Sequence, residues 1–434
     1  MKRDSMMLAC AMMALAGSNM SAQAIDWAAV VNGNWNDSAN WLGGNVPTAL
    51  GEDAVLGLSG AYTVDVTNNF TYGALTVSNP DATLALGGSV FHTLNGDLLN
   101  NGTVLINKDA VIFNSHIAFS ADAMIAGSGE IVLNGAGNSN DAQVLSNTGF
   151  TVTHASGHTI RGAGLLGGTM INNGDIIGDS VVGGLELQGT LTQGAGGNAG
   201  ADGGTLQLAN GSVTSGGEFV TVNGGIIEVS GSIATIGNLT NSGDLHIPGS
   251  GRYLYLNAGV LNNGTITVNP GVNVFNAHLR FTADATIDGN GDVHMFSAGD
   301  LNEAQLRVNT AVIGTIGSNQ TVHGSGVLNA TNGGSIVNIG TVNGDDASVG
   351  LGLAGNHVGT SGVYRSDNGT LLLRNGLILE GGTFETSGTG SITRDQNGTA
   401  TIGNITNNGQ MNILGSGSSI ALSGTLVNNG TLTI

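Results

Sequence analysis

The chain is built around a short unit in which a polar pair, often Asn-Asn, precedes a glycine and a brief polar–apolar alternation. Six copies of this unit are visible at residues 99–106, 171–176, 240–247, 261–268, 406–413 and 427–434. Asparagine tolerates the left-handed backbone region and glycine enters it freely, so each unit predicts a tight turn followed by a half-buried strand. One unit cannot bury its apolar side alone, whereas many stacked units can, and this predicts a solenoid.

Composition supports an all-β fold, and we expect a right-handed parallel β-helix. The 434 residues include 75 Gly but only 4 Pro, and hydrophobic residues make up 40%, too many for a disordered chain. Aromatic residues are 4%, which fits a narrow core filled by Val, Ile, Leu and Ala. With about 20 residues per coil, roughly 18 coils would form a rod about 90 Å long. A β-sandwich array is the alternative, and it would favour larger core residues.

The charge balance excludes two classes of partner. Ten Lys plus Arg face 30 Asp plus Glu, giving a formal net charge of −20. A chain with so few cations is unsuited to nucleic acid and to anionic membrane surfaces. Charged residues are only 9% of the chain, so we expect a mostly neutral polar surface.

The N-terminus predicts export. A basic start at Lys2 and Arg3 precedes a short apolar run over residues 6–16, and Ala24 ends a small-residue cleavage pattern. We therefore expect residues 1–24 to be a signal peptide. The single cysteine, Cys10, would be removed with it; acylation of Cys10 as in a lipoprotein is the alternative, but almost no apolar stretch precedes that residue.

The next segment, residues 25–60, contains all three tryptophans: Trp27, Trp35 and Trp41. From Trp35 it has the pattern W-x5-W-x-G-G-x-x-P, and D-x-V follows at Asp53. This pattern resembles the tryptophan-containing N-terminal segment of secreted bacterial β-solenoid proteins, such as autotransporter-type passengers and cell-surface proteins with a C-terminal sorting tail. The resemblance implies a bacterial protein that is secreted or located at the cell surface.

Two interpretations of these tryptophans are open. A solenoid needs an atypical end unit to cover the edge of its first coil, and large aromatic rings do this well. We therefore predict that residues 25–60 form an N-terminal cap. The alternative is a set of exposed rings that stack on sugars.

The body of the chain is a tandem duplication. Residues 113–123 align with 275–285 at an offset of 162, and residues 235–238 align with 401–404 at an offset of 166. The change of offset predicts a few inserted residues in a loop of the second copy. The predicted β-solenoid, residues 61–434, then divides into a partial copy, copy one, copy two and the opening of a further copy: 61–101, 102–263, 264–429 and 430–434.

The sequence stops in the middle of a repeat unit. We expect either that the chain is a fragment of a longer repeat protein, or that Ile434 leaves an exposed edge for end-to-end contact with another chain. An autotransporter would continue into a membrane β-barrel, and a sorted surface protein would continue into an apolar helix.

The most distinctive repeated polar feature is the pair Asn114 and His116, which is matched by Asn276 and His278. Strand alternation would direct these four side chains outward, where they are possible surface contacts for a ligand. Descent from one ancestral block explains the repetition more simply. The same alternation predicts that the flanking apolar residues point inward: Phe113, Ile117, Phe119, Phe275, Leu279 and Phe281.

Gly344-Asp345-Asp346 is a weak candidate for catalysis. A Gly-Asp-Asp on a β-helix is similar to polygalacturonase-like hydrolases, whose paired carboxylates perform acid–base catalysis. The Gly-His-Gly and Arg-x-Lys motifs of that family are missing, and copy one has Gly178-Asp179-Ser180 at the aligned place. A solvated acidic turn explains Asp345 and Asp346 more simply.

Export and duplication together favour a non-enzymatic stalk or passenger that acts in adhesion or in envelope or matrix structure. The expected partner is a glycan or another host or cell-surface polymer, bound by many weak hydrogen bonds. The alternative is a polysaccharide-acting hydrolase or lyase of the pectin-lyase-like type, which needs acidic, His or Arg side chains from adjacent coils to converge in a groove. We expect no cofactor and no metal, because the nine His show no ligand-like spacing.

Overall fold

The computed structural model describes residues 23–111, 114–271, 276–394 and 397–434. They form a parallel β-solenoid of about 17 coils. At about 4.8 Å per coil the stack is about 80 Å long. The predicted all-β parallel β-helix is therefore confirmed and the β-sandwich alternative is wrong, while the hand of the coil stays a prediction. The predicted signal peptide lies outside the described residues, apart from Gln23 and Ala24 in the first strand.

Each coil carries up to three strands, so the rod has three lateral faces, named here faces one, two and three. The strands of face one are Gln23–Asp26, Glu52–Leu56, Leu75–Val77, Leu98–Asn100, Ala123–Ala126, Thr151–His154, Ser212–Ser215, Ile233–Gly237, Arg252–Leu256, Ala277–Phe281, Ala304–Val308, Gly326–Ala330, Thr370–Leu373, Ser391–Arg394, Gln410–Ile413 and Thr431–Thr433. The strands of face two are Gly33–Asn34, Tyr62–Val66, Ala82–Leu86, Thr103–Ile106, Glu130–Asn134, Asp175–Gly178, Asn198–Asp202, Glu218–Val222, Leu239–Asn241, Val260–Asn262, Ala285–Asp288, Ile313–Ile316, Ser335–Asn338, Ile378–Glu380, Gly398–Gly403 and Ser418–Leu422. The strands of face three are Phe70–Tyr72, Phe91–Leu94, Ser115–Phe119, Ala142–Ser146, Thr205–Leu208, Ile226–Val229, Asp244–Ile247, Thr265–Val268, Asp292–Met295, Thr321–Gly324, Thr341–Asn343, Val363–Asp367, Thr383–Ser387, Ile405–Asn407 and Leu426–Asn428.

Three long strands turn a corner without a break and so belong to more than one face. Thr159–Asn172 runs through faces two, three and one, Leu185–Gln193 through faces three and one, and Leu351–Val358 through faces one and two.

The only helices in the described residues are four single 3-10 turns: Ser38–Asn40, Leu42–Gly44, Ser139–Asp141 and Leu301–Glu303. Among the same residues, no helix has the length and apolar character needed to cross a membrane.

The core is a set of ladders in which one inward side chain stacks on the next. On face two, for example, the paired residues Leu84, Val104, Ile131, Ile160 and Ile176 follow one another through five coils. All five are buried. Full burial of each such side chain contributes about 1.5–3 kcal/mol, so the solenoid is held by apolar stacking along its axis. This explains why alternating Val, Ile and Leu recur through the sequence.

The first asparagine of the recurring turn points into the core rather than into solvent. Asn100, Asn241 and Asn407 are fully buried. Each side-chain oxygen accepts a hydrogen bond from the backbone N–H two residues on, at 3.1–3.4 Å, which closes an Asx turn. The amides of Asn241 and Asn407 donate to the asparagine of the next coil at 2.8 and 2.7 Å. Stacked Asn side chains therefore tie neighbouring coils together, which satisfies polar groups that burial would otherwise leave unpaired.

A buried polar chain joins Asn100, at the end of the partial copy, to three side chains of copy one. Asn100 Nδ2 lies 3.1 Å from His158 Nε2, His158 Nδ1 lies 3.0 Å from His154 Nε2, and His154 Nδ1 lies 2.6 Å from Asn172 Oδ1. All four side chains are inaccessible to solvent. The hydrogen bonds run in one direction if both imidazoles are neutral and carry their proton on Nδ1. Burial lowers the pKa of His158 to about 3, which fits this neutral state.

The tryptophan segment forms the predicted cap. Trp27, Trp35 and Trp41 are 0–2% exposed and meet edge to face, with centroids 5.1 and 4.8 Å apart. Trp35 also contacts Tyr72 in the first full coil, at 5.2 Å, and Trp41 Nε1 donates to the carbonyl of Trp35 at 2.8 Å. Because the rings are buried, a sugar-stacking platform made of these tryptophans is excluded.

The repeated blocks are rotated with respect to one another. The strand Leu98–Asn100 precedes copy one on face one, whereas its equivalent Val260–Asn262 lies on face two and Leu426–Asn428 lies on face three. One block is therefore not a whole number of coils. Equivalent residues of the two copies lie on different lateral faces, and duplication does not generate a straight row of identical surface sites.

The extra residues of copy two lie in a turn, as predicted. Copy one passes the corner near Gly168 within the continuous strand Thr159–Asn172, whereas copy two has a separate turn at residues 331–334. At the C-terminal end of the stack, Leu422 and Ile434 are exposed. The two alternatives stated for Ile434, a fragment or an edge for another chain, stay predictions.

Candidate functional site

The structure brings four ionisable side chains together on face three of copy two. Strands Asp292–Met295 and Thr321–Gly324 are paired in register, with Asp292 opposite Thr321 and His294 opposite His323. Val293, Met295 and Val322 alternate with these residues and are buried in the core. Strand alternation therefore directs Asp292, His294 and His323 outward.

We define the His–Asp cluster as Asp292, His294, His323 and Asp345. His323 stands at its centre, with Nε2 3.3 Å from Asp292 Oδ2 and Nδ1 3.0 Å from Asp345 Oδ2. The His294 ring stacks on the His323 ring, with centroids 4.1 Å apart and an interplanar angle of 21°. Asp292, His294 and His323 each offer a ligand atom, and these atoms lie within 4.8 Å of one another.

Hydrogen bonds and charge set the protonation states in this cluster. The hydrogen bonds that His323 makes to Asp292 and Asp345 raise its pKa to about 9, so this imidazole is a cation at neutral pH. The hydrogen bond from His323 lowers the pKa of Asp292. Burial, together with the positive charge on His323, lowers the pKa of His294, which is therefore neutral at pH 7.

Asp345 and Asp346 have different partners. Asp345 faces His323 and also accepts a hydrogen bond from the backbone N–H of Gly324 at 2.8 Å. Asp346 accepts bonds from the Ser348 and Val349 backbone N–H groups, both at 2.8 Å, and thereby closes its own turn. The two carboxylates do not face a shared groove as a pair of acid–base catalysts would.

The repeated Asn and His residues lie on two different faces. Asn114 and Asn276 are exposed. His116, on face three, is half-buried and stacks on Phe91 at 4.5 Å, whereas His278, on face one, is buried and stacks on Tyr253 at 4.5 Å. His278 is therefore covered by its neighbours although it occupies an outward strand position.

The apolar residues beside these histidines behave as the alternation predicts where they are described. Ile117, Phe119, Leu279 and Phe281 are fully buried. Phe113 and Phe275 lie outside the described residues.

Copy one has an ionic triad at the position of the cluster. Arg161 is equivalent to His323, and its Nε lies 2.7 Å from Glu130 Oε2 while Nη1 lies 3.0 Å from Asp179 Oδ2. Glu130 and Asp179 are equivalent to Asp292 and Asp345, and Val132 stands where copy two has His294. The register is the same in both copies, while the central base and its neighbour have changed.

Sequence reasoning noticed Asp345 but missed its partners. His294 and His323 are 29 positions apart, about one coil, so neither helical nor hairpin ligand spacing could find them. The signal lay in the alignment of the copies, where Val132 and Arg161 of copy one are both replaced by histidine.

No family model matches the chain. The chain is similar to the curated protein "Adhesin BmaC autotransporter" of Brucella suis biovar 1 (strain 1330), with 28% identity over 345 residues. The match includes 76% of this chain but spans only 9% of the length of that protein. Together with the β-solenoid fold, this supports the resemblance to autotransporter passengers.

Proposed function

We propose that this protein is a non-enzymatic, exported β-solenoid that forms part of the passenger or stalk of a bacterial surface adhesin. The observation that carries the proposal is the similarity to an autotransporter adhesin along most of the chain, on a fold that is a β-solenoid. A rod about 80 Å long, built from stacked coils, extends a binding surface away from its attachment point.

The surface suits many weak contacts with a neutral polymer. Charged residues are only 9% of the chain. Eight ion pairs among the described residues engage Lys108, Arg161, Arg252, His323 and Arg365, which leaves few cations to meet an anionic partner. We therefore propose a glycan or another neutral cell-surface polymer as the partner, recognised through Asn, Thr and Ser hydroxyl and amide groups along the faces.

One observation keeps an enzyme as the second candidate. The His–Asp cluster is a convergence of acidic and His side chains from adjacent coils, which a polysaccharide hydrolase or lyase on this fold would need. Glycoside hydrolysis, however, requires one carboxyl group with a raised pKa to protonate the leaving oxygen. The pKa values of Asp292 and Asp345 are both lowered, and both carboxylates are bound to the same imidazole. The adhesin is thus the better-supported proposal.

A paired binding and release assay tests this proposal. The purified chain is applied to a glycan array and to intact host cells, and the same polysaccharides are assayed for release of new reducing ends or unsaturated products. We expect binding that changes little between 50 and 500 mM NaCl (about a threefold change in Debye length) and no release. Heat-unfolded chain is the control for non-specific adhesion.

Release of reducing ends that is abolished in His323→Arg would favour the enzyme instead. Absence of binding to every glycan and cell type would contradict adhesion and leave a purely structural stalk.

A further inference from the structure

We infer that Asp292, His294 and His323 form a binding site for one divalent transition-metal ion of the zinc type, with Asp345 supporting His323 from outside the coordination sphere. This site goes beyond the proposed adhesive function and does not depend on it. Two of its ligands come from one coil and the third from the next, so a bound ion would bridge neighbouring coils on face three.

The donor set matches this class of metal. Two imidazoles and one carboxylate are ligands that zinc and related ions take, with open positions left for water. All three side chains project outward from rigid strands, and each is partly exposed, so an ion can enter from solvent. Within the described ranges, this is the one group of three or more His, Cys, Asp or Glu side chains with ligand atoms this close together.

The distances require only small side-chain adjustments. Donor atoms around a tetrahedral zinc ion are about 3.4 Å apart, because each metal–ligand bond is about 2.1 Å. The three ligand atoms here lie within 4.8 Å of one another, and Asp292 Oδ2 is already 3.3 Å from His323 Nε2. Asp292 and His294 are both partly exposed, so their side chains are free to rotate toward a bound ion.

Asp345 supplies the hydrogen-bond acceptor that a metal-binding histidine needs for its second ring nitrogen. A metal-bound histidine donates its second ring N–H to a carboxylate or carbonyl, which fixes the ring and its tautomer. His323 has this arrangement, since Nδ1 faces Asp345 at 3.0 Å and Nε2 faces the proposed ion position. Asp345 is itself fixed by the Gly324 N–H.

Among the described residues, no lysine or arginine is paired with the carboxylates of the cluster, so the cation that a metal ion must displace is the proton of His323. Arg365, the nearest arginine along the same ladder of face three, is held by Asp367 at 3.6 Å and Glu385 at 3.3 Å. In copy one the equivalent position is filled by the Arg161 guanidinium, and Val132 offers no ligand. Copy one is therefore a natural negative control for the site in copy two.

Zinc titration of the untagged chain tests the inference. The chain is treated with chelator, dialysed, and titrated with ZnCl2 by calorimetry at pH 8 in a non-coordinating buffer. We expect one equivalent of zinc to bind. His294→Ala and His323→Arg should each weaken binding at least tenfold, and Asp345→Asn should weaken it by about 10–100-fold, as removal of a supporting carboxylate does.

Matched variants keep the result interpretable. His323→Arg should fold normally, because copy one accommodates arginine between two carboxylates at this register. His246→Ala, on the same face but two coils away from His294, should leave binding unchanged. No binding below 1 mM zinc, or binding that survives both His294→Ala and His323→Arg, would overturn the inference. Zinc binding is measured without any glycan, so its failure is distinguishable from failure of the adhesion proposal.

Discussion

Copy one and copy two carry an acid–base–acid triad at the same register, but the base differs. In copy one Arg161 binds Glu130 bidentately, at 2.7 and 3.3 Å, and its guanidinium stays charged at any physiological pH. In copy two His323 occupies that place and can lose its proton or bind a metal. The same position of the repeat thus carries a permanent ion pair on face two. On face three it carries a cluster whose central side chain can lose its proton or bind a metal.

The difference teaches where a duplicated solenoid is free to diverge. Outward positions can exchange Val132 for His294 without disturbing the ladders inside, because alternate residues still point to the core. Inward positions stay buried when their residues differ: His158 of copy one is replaced by Gln320, which is also fully buried and donates to the Gly291 carbonyl at 2.5 Å. The rotation between blocks then places the diverged sites on separate faces.

The largest effect is expected at the seam glycines, Gly102 and Gly264, which are the first residues of copy one and copy two. A Cβ added at Gly102 would lie 2.3 Å from the Ala82 carbonyl oxygen, and one at Gly264 would lie 2.2 Å from the Gly243 carbonyl oxygen. Gly102→Ala and Gly264→Ala should each lower the free energy of unfolding by about 2–3 kcal/mol, since the coils must separate to admit the methyl group. Urea unfolding followed by circular dichroism measures this loss.

Gly299→Ala is the control, because nothing lies within 4 Å of the added Cβ. A loss in only one of the two seam variants would mean that the copies are not packed equivalently.

The second effect concerns the buried chain that distinguishes copy one. His158→Leu leaves His154 Nε2 without its donor and should cost about 2 kcal/mol, as expected for an orphaned buried polar group. The double variant His154→Ile/His158→Gln reproduces the residues of copy two, Ile316 and Gln320, and should cost less than the single change. Urea unfolding compares the three chains; a double variant less stable than His158→Leu would contradict the equivalence of the two interiors.

Acid should destabilise the segment around His154 and His158 of copy one before it destabilises the equivalent segment of copy two. Burial lowers the pKa of His158 to about 3 and also lowers that of His154, so both folded-state values lie below 6.5. Their contribution to stability is therefore present above pH 6.5 and is lost as pH falls through the folded pKa values. Hydrogen-exchange protection of residues 151–172 should decline more between pH 7 and 4 than that of residues 313–338, which contain Ile316 and Gln320. Equal declines in the two segments would show that the buried imidazoles do not set acid stability.

The smallest effect is expected from exchanging the two bases. Because these triads are partly exposed, Arg161→His and His323→Arg should each change stability by less than about 1 kcal/mol at pH 7. The pKa of His323 is raised to about 9, so its contribution is present below pH 6.5 and is lost as pH rises through 9. In the presence of chelator, the melting temperature of His323→Arg should therefore rise relative to that of the wild-type chain between pH 7 and 10. No change in their relative stability over that range would contradict the ionic role of His323.

The sequence predicted the architecture well because the determinants of the coil are local. Alternating Val and Ile mark strands, and the Asn-Gly turns mark corners. The sequence did not show that Asn100 would point into the core. An Asx turn has the same sequence whether its asparagine side chain faces solvent or the buried core. The cap was predictable from Trp35 and Trp41, since large rings have few other places in so narrow a solenoid.

The His–Asp cluster could not be predicted from motif spacing. Its members come together only through the coil length, which sets His294 against His323, and through the corner after Asn343, which returns Asp345 to the same imidazole. Coil length varies along this chain, so the pairing of any two outward residues depends on every turn between them. Alignment of the two copies could have indicated the cluster, because the copies keep the same strand register at positions where their residues differ.

The most direct test of the account is to build the site of copy two in copy one. In the His323→Arg background, Val132→His and Arg161→His would place two imidazoles between Glu130 and Asp179 on face two. Calorimetric titration with zinc at pH 8 should show one equivalent bound by the wild-type chain, at least tenfold weaker binding in His323→Arg, and recovery of one equivalent in the triple variant. A triple variant that folds normally and does not regain zinc would contradict the claim that the two copies offer the same position to different chemistry.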